Sequence, residues 1–174
     1  MGIQKKYHAE HYLIKDNGVF PNNKNLPVIL YKSVFDLPFF RPGHFIKKTF
    51  ASHNWTNSWK NSMYDYHHYH SVTHEVLGVY KGETQVQLGG ENGIRLLLEE
   101  GDVLIIPAGV AHKNLTPQKR FKCVGAYPSG KQYDMNYGRP EERPRTDTNI
   151  ANVTLPDQDP VYGTQGELKK YWKH

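Results

Sequence analysis

From Glu75 to Pro107 the chain runs as short apolar-rich segments, the first of them alternating apolar and polar positions with a period of two. "HEVLGVYKGETQVQLGG" reads as two strands around the turn "YKGE", and "IRLLLEEGDVLIIPAG" as two more around "EEGD". "RFKCVGAYP" supplies another, and "LPVILYK" near the start is an apolar run of buried-strand length. A short strand near Tyr12 to Lys15 precedes it, separated by the turn clusters "DNG" and "PNNKN". The stretch from Phe45 to Trp59 breaks the alternation; "HFIKKTFASHNW" puts Phe45, Ile46 and Phe50 on one side of a short helix. Four of the eleven prolines (140, 144, 156 and 160) space the segment from about 138 to 174, which is expected to be an irregular extension. Its end, "GELKKYW", offers Leu168, Tyr171 and Trp172 for docking onto the rest. Short strands with glycine turns every eight to twelve residues or so predict an all-β fold, a sandwich or a barrel.

A chain of 174 residues fits one domain, with its core over about 26–130. Lys plus Arg number 22 against 17 Asp plus Glu, and the cations are scattered as pairs such as Lys47-Lys48. No nucleic-acid partner is expected from that scatter, because a binding face needs the charge gathered. Cys123 is the single cysteine, which excludes an intrachain disulfide and a cysteine zinc knuckle, and suits a cytoplasmic location. The first twenty residues lack an apolar run of signal-peptide length and no stretch is long enough to span a bilayer, so no membrane partner is expected either.

The chemistry concentrates in "YHHYHSVTHE", residues 66 to 75, where four of the ten histidines fall. On an extended chain His68 and His70 share a face, while His67, Tyr69 and Ser71 point the other way. A turn at Ser71 to Thr73 folds Glu75, with Leu77 and Val79, back beside the two imidazoles. "GDVLIIPAGVAHKN" supplies His112 after a tight proline-glycine turn. Three imidazoles and one carboxylate suit a divalent transition metal: zinc, iron, manganese, nickel or cobalt. The alternative is a metal-free polar cluster satisfied by hydrogen bonds and water, at the cost of burying a carboxylate without a cation. His67 and His74 are expected at the surface or supporting the ligands.

These residues carry a resemblance. "HYHSVTHEVLGVYKG" resembles the first signature of the cupin superfamily, with His68, His70, Glu75 and Gly82 in its spacing. "GDVLIIPAGVAH" resembles the second, with Gly101, Pro107, Gly109 and His112. Eighteen residues separate Gly82 from Gly101, as in compact cupins. "YHHYHSVTHEVLGVYKGE", "GAYPSGKQYD" and "DPVYG" are similar to the bacterial single-domain YjlB-type cupins, over most of the chain from about Trp55 onward. One departure is Thr116, where the second signature often has asparagine; Asn114 lies two residues after His112 instead.

The resemblance implies a double-stranded β-helix, or jelly-roll barrel, with a few short helices. It also implies one divalent metal held by His68, His70, Glu75 and His112, and pairing as a homodimer. Two functions stay open: a metal-dependent enzyme acting on a small polar organic molecule, and a non-catalytic module that binds a metal or small ligand. For the enzyme, strand parity nominates Tyr66 and Tyr127 to move protons, and Tyr64 and Asn114 to contact substrate. Cys123 is read as a small buried hydrophobe.

Overall fold

The alternating segments fold into antiparallel sheets, described in a computed structural model for residues 2–173. Eleven strands are present among the described residues: β1 (Gly2–Ile3), β2 (His8–Ile14), β3 (Asn23–Lys32), β4 (Phe35–Asp36), β5 (Trp55–Asn61), β6 (Glu75–Lys81), β7 (Thr84–Leu88), β8 (Ile94–Leu98), β9 (Val103–Ile106), β10 (His112–Asn114) and β11 (Lys122–Pro128). Six form one sheet in the order β2-β3-β9-β6-β11-β5, three form a second in the order β10-β7-β8, and β1 pairs with β4. All pairings are antiparallel.

The fold is the all-β jelly roll of the cupin type, its two main sheets facing each other without closing through shared strands. Period-two alternation decides what lies between them. Leu30 of β3, Leu77 and Val79 of β6, Leu104 of β9 and Cys123 of β11 turn inward to meet Val86 and Leu88 of β7 and Leu98 of β8. Their neighbours Ile29, Tyr31, Val76, Val103, Ile105 and Val124 turn outward, yet they are buried too.

What covers that outer face is the segment that broke the alternation, together with the C-terminal residues. The helix α1 (Pro42–Ser52) starts with proline at its first turn and lays Ile46 and Phe50 on the large sheet. Gly78 of β6 lets it approach: a Cβ there would sit 2.6 Å from Ile46 Cγ2 and 2.9 Å from Phe50 Cζ. Residues beyond 138 carry a short 3-10 turn (Pro140–Glu142) and the helices α2 (Arg145–Ala151) and α3 (Glu167–Tyr171). Leu168 and Trp172 are buried against the sheet, whereas Tyr171 is half exposed and stacks on His11 with ring centroids 3.9 Å apart. The attachment is polar as well as apolar. Asp159 is wholly buried and accepts hydrogen bonds from the Tyr31 hydroxyl (2.7 Å) and from the N–H groups of Val161, Tyr162 and Leu168 (2.8, 3.0 and 3.2 Å).

Candidate metal centre

The histidine-rich segment is not a regular strand, but from Tyr64 to His70 it runs antiparallel beside β10. The Asn114 N–H donates to the Tyr64 carbonyl at 2.9 Å, and Gly109 N–H to the His70 carbonyl at 2.8 Å. Between them His68 and His112 exchange N–H···O bonds of 3.3 and 2.9 Å. Direct pairing places their imidazoles opposite one another, with ring centroids 4.1 Å apart. His70, two residues on, shares their face. One ligand nitrogen from each of the three lies within 4.8 Å of the others, and all three side chains are buried. The intervening residues go the other way, Tyr69 into a packed contact with Phe20 and His67 towards Glu91, whose Oε1 is 3.1 Å from its Nε2.

Glu75 arrives from the opposite layer as the first residue of β6. Its Oε2 is 3.2 Å from Nε2 of His70 and 3.2 Å from Nε2 of His112. The bend that returns the chain is held by Asp134, whose carboxylate accepts the N–H groups of Ser71 (2.7 Å) and Val72 (3.3 Å) and the Ser71 hydroxyl.

Each of the three imidazoles has its Nδ1 against a backbone carbonyl: His68 at Tyr66 (3.1 Å), His70 at Asp134 (2.6 Å) and His112 at Val110 (3.0 Å). A carbonyl only accepts, so Nδ1 carries the hydrogen and the lone pair of the neutral ring lies on Nε2. This is the support that metal-bound histidines receive, and the donor set fits a divalent transition metal. Burial, with His112 and His70 close by, pushes the His68 imidazole down to about 3, so that ring is neutral at physiological pH. Burial works the same way on His70, but Glu75 and the Asp134 carbonyl outweigh it and its net shift is upward. Burial alone would raise Glu75; His70 and His112 instead hold it well below the usual carboxylate range. The two opposite shifts share one cause, the 3.2 Å contact between the Glu75 carboxylate and the His70 ring.

The cluster forms one wall of a cavity of about 200 Å³. Trp59, Met63 and Leu77 line its apolar side, and its rim carries Tyr64 and Tyr133, which are 51% and 41% exposed. Tyr127 lines it as well and donates its hydroxyl hydrogen to Glu75 Oε1 at 3.0 Å. Tyr133 stacks on Tyr127 and meets His70 edge-on, both with centroids 5.0 Å apart.

Of the residues nominated from the sequence, His68, His70, Glu75, His112, Tyr127 and Tyr64 come together here. Tyr66 and Asn114 are not among the lining residues. The Tyr66 ring is 39% exposed, stacked on Tyr64 at 4.9 Å and edge-on to His68 at 5.6 Å, while its carbonyl holds the His68 Nδ1. Asn114 is buried, but its Oδ1 accepts from Thr84 Oγ1 (2.6 Å) and Thr116 N–H (3.2 Å), which joins β10 to β7. His74, expected at the surface or supporting the ligands, is 2% exposed and lies elsewhere, accepting the Ala108 N–H at Nδ1 and packing 4.6 Å from Trp172. As the neighbour of an inward residue it faces outward, where the C-terminal segment buries it. Trp59, Met63, Tyr133 and Asp134 were not singled out; the last two belong to "GAYPSGKQYD", so the signal for them was present in that motif.

A cupin domain model matches residues 60–122, which contain all four candidate ligands. Over 164 residues the chain is 38% identical to the uncharacterized protein YjlB of Bacillus subtilis (strain 168), covering 94% of this chain and 96% of that one. The chain belongs to the cupin family, in its YjlB-type group. Among solved structures, this cupin is similar to the acireductone dioxygenase from Bacillus anthracis with a cadmium ion in its active center (16% identity, 54% of this chain and 63% of that one, TM-score 0.40). It is also similar to the dTDP-6-deoxy-D-glucose-3,5-epimerase of Legionella pneumophila Philadelphia 1 (15% identity, 73% and 74%, TM-score 0.38) and to procruciferin, the 11S globulin of Brassica napus (15%, 66% and 23%, TM-score 0.37). This cupin therefore spans less than a quarter of the globulin and under two thirds of the dioxygenase.

Proposed function

We propose that this cupin holds one divalent transition metal through Nε2 of His68, His70 and His112 and a carboxylate oxygen of Glu75. We read it as a metal-dependent enzyme acting on a small organic substrate. One observation carries the reading: three imidazoles with Nδ1 committed to carbonyls turn Nε2 together, on the wall of a cavity whose rim is solvent-exposed. A purely structural metal needs a closed shell, whereas a catalytic one needs access. Zinc, iron, manganese, nickel and cobalt all suit this donor set. When bound, such an ion supplies Lewis-acid or, for the redox-active members, electron-transfer chemistry.

The remaining tasks fall to the chain's own residues. Trp59, Met63 and Leu77 keep water off the inner wall, and the rings of Tyr64 and Tyr133 flank the way in. At about 200 Å³ the space is smaller than drug-sized pockets of roughly 300 Å³ and more, which favours a compact molecule over a nucleotide. Tyr127 holds a proton at Glu75 Oε1. In this reading Tyr66 serves through its carbonyl, fixing the His68 ring, and Asn114 serves by tying β10 to β7.

The test is elemental analysis of the purified protein beside His70→Ala and His112→Ala, followed by a turnover screen of small oxygenated compounds with the metal-loaded protein. Near one ion per chain in the parent and near none in either variant is expected, with turnover that depends on the ion. Stoichiometric metal with no turnover, and ligand binding alone, would favour the non-catalytic binding module. Full metal content in both variants would refute the site.

A further inference from the structure

Three side chains beside the candidate ligands form a hydrogen-bonded series whose direction is fixed by chemistry. An indole nitrogen only donates, so Trp59 Nε1 gives its hydrogen to the Tyr127 hydroxyl oxygen, 2.8 Å away. A phenol has one hydrogen, and that of Tyr127 goes to Glu75 Oε1 at 3.0 Å. The other carboxylate oxygen, Oε2, is the one 3.2 Å from Nε2 of both His70 and His112. The two oxygens of Glu75 are therefore inequivalent: one is engaged by the phenol and the other is offered to the imidazole cluster.

The backbone is shaped to keep this series in place. Trp59 on β5 pairs with Gly125 on β11, and the indole lies against that glycine. A Cβ at Gly125 would fall 2.2 Å from Trp59 Cε2 and 2.5 Å from its Nε1, so any side chain there would displace the indole from Tyr127. Tyr133 covers the far face of the phenol by stacking on it.

Resting on the four-ligand reading above, we infer that Trp59 and Tyr127 lock Glu75 as a one-oxygen ligand and thereby keep a coordination position free for substrate. Carboxylates bind metals through one oxygen or two. For Glu75 to bind through both, the carboxylate would have to turn Oε1 from the phenol towards the imidazole cluster, which would lengthen or bend the 3.0 Å bond from the buried Tyr127 hydroxyl. Tyr127 is on this account a positioning residue, its only hydrogen committed to Glu75, and Trp59 positions Tyr127 in turn.

The test uses the full chain with Co²⁺ as the probe, in the parent, Tyr127→Phe and Trp59→Phe. Circular dichroism of the metal-free proteins checks the fold, chelator competition gives the affinity, and visible absorption reports the coordination number, weakening as that number rises. Tyr127→Phe is expected to bind one cobalt with affinity reduced about 10- to 100-fold. Its visible bands should be weaker, because Oε1 joins the metal. Azide should perturb the parent spectrum and leave that of Tyr127→Phe unchanged, the open position being filled. Trp59→Phe should move every readout the same way by less, and it decides the matter if Tyr127→Phe does not fold. A folded Tyr127→Phe with the parent's affinity, bands and azide response overturns the inference while leaving the four-ligand site standing. A folded parent that takes up no cobalt removes both.

Discussion

Chelating the metal should lower the melting temperature, and by more at pH 8 than at pH 6. A metal that binds the folded site and not the unfolded chain, at a free concentration about 100 times Kd, stabilises the fold by roughly 2.7 kcal/mol. A chain of this length shifts by about 2–4 °C per kcal/mol, which makes the expected fall about 5–11 °C. The pH dependence follows from His70. In the metal-free fold its pKa is raised by Glu75, 3.2 Å away, so the stability from that pair is fully present below about 6.5 and is lost as pH rises through the folded value. Glu75, held below the usual carboxylate range, contributes stability that is present at neutral pH and lost only in acid. Binding a cation requires neutral His70, so a proton must leave. Below the His70 pKa each pH unit should weaken binding about tenfold, or ~1.4 kcal/mol. His68, already neutral, releases nothing. Differential scanning fluorimetry with and without chelator at three pH values, with metal loss confirmed by elemental analysis, measures both effects. Calorimetry in buffers of different ionisation enthalpy counts the protons released, a number that should rise as the pH falls. A melting temperature unmoved by confirmed metal loss, or a larger shift at pH 6 than at pH 8, would refute the reasoning.

Three further outcomes are expected. Gly78→Ala should cost about 1–3 kcal/mol in urea unfolding, because its Cβ meets Ile46 and Phe50 and α1 must lift from β6; an unchanged midpoint would contradict that packing. Asp159→Asn should cost about 1.5–3 kcal/mol and speed proteolysis within residues 159–172, since an amide cannot accept from every donor now shared by the carboxylate. Cys123 should resist a thiol reagent in the native state and react at once in denaturant, because burial and Glu75 push its thiol pKa far up; rapid native labelling would show that the interior opens.

The period-two pattern made the strands readable from Glu75 to Pro128, and with them the inward set of His68, His70, Glu75 and His112. That reading needed alternation and two turns, all local properties, with the resemblance of the two motifs to join them. It went astray where side-chain direction was set by something remote. Parity put Tyr66 inward, but its ring does not line the cavity and instead packs on Tyr64, Tyr137 and the edge of His68. Parity also sent His74 to the outer face without indicating that residues from near the C-terminus bury that face. Trp59 was illegible for a similar reason, since its role depends on Gly125 lying beside it on a strand 66 positions later.

The bond from His70 Nδ1 to the Asp134 carbonyl bears on how the site comes into being during synthesis. A chain emerging from the ribosome has exposed every candidate ligand once His112 is out, yet it still lacks Asp134, which fixes the His70 tautomer and clamps the bend at Ser71 and Val72. Tyr69 likewise waits for Asn136, with which it exchanges hydrogen bonds of 2.9 and 3.1 Å. In a nascent chain the side chains of the candidate site therefore come out before the groups that orient them. Their final geometry belongs to the finished fold, closed by Asp134 and Asn136.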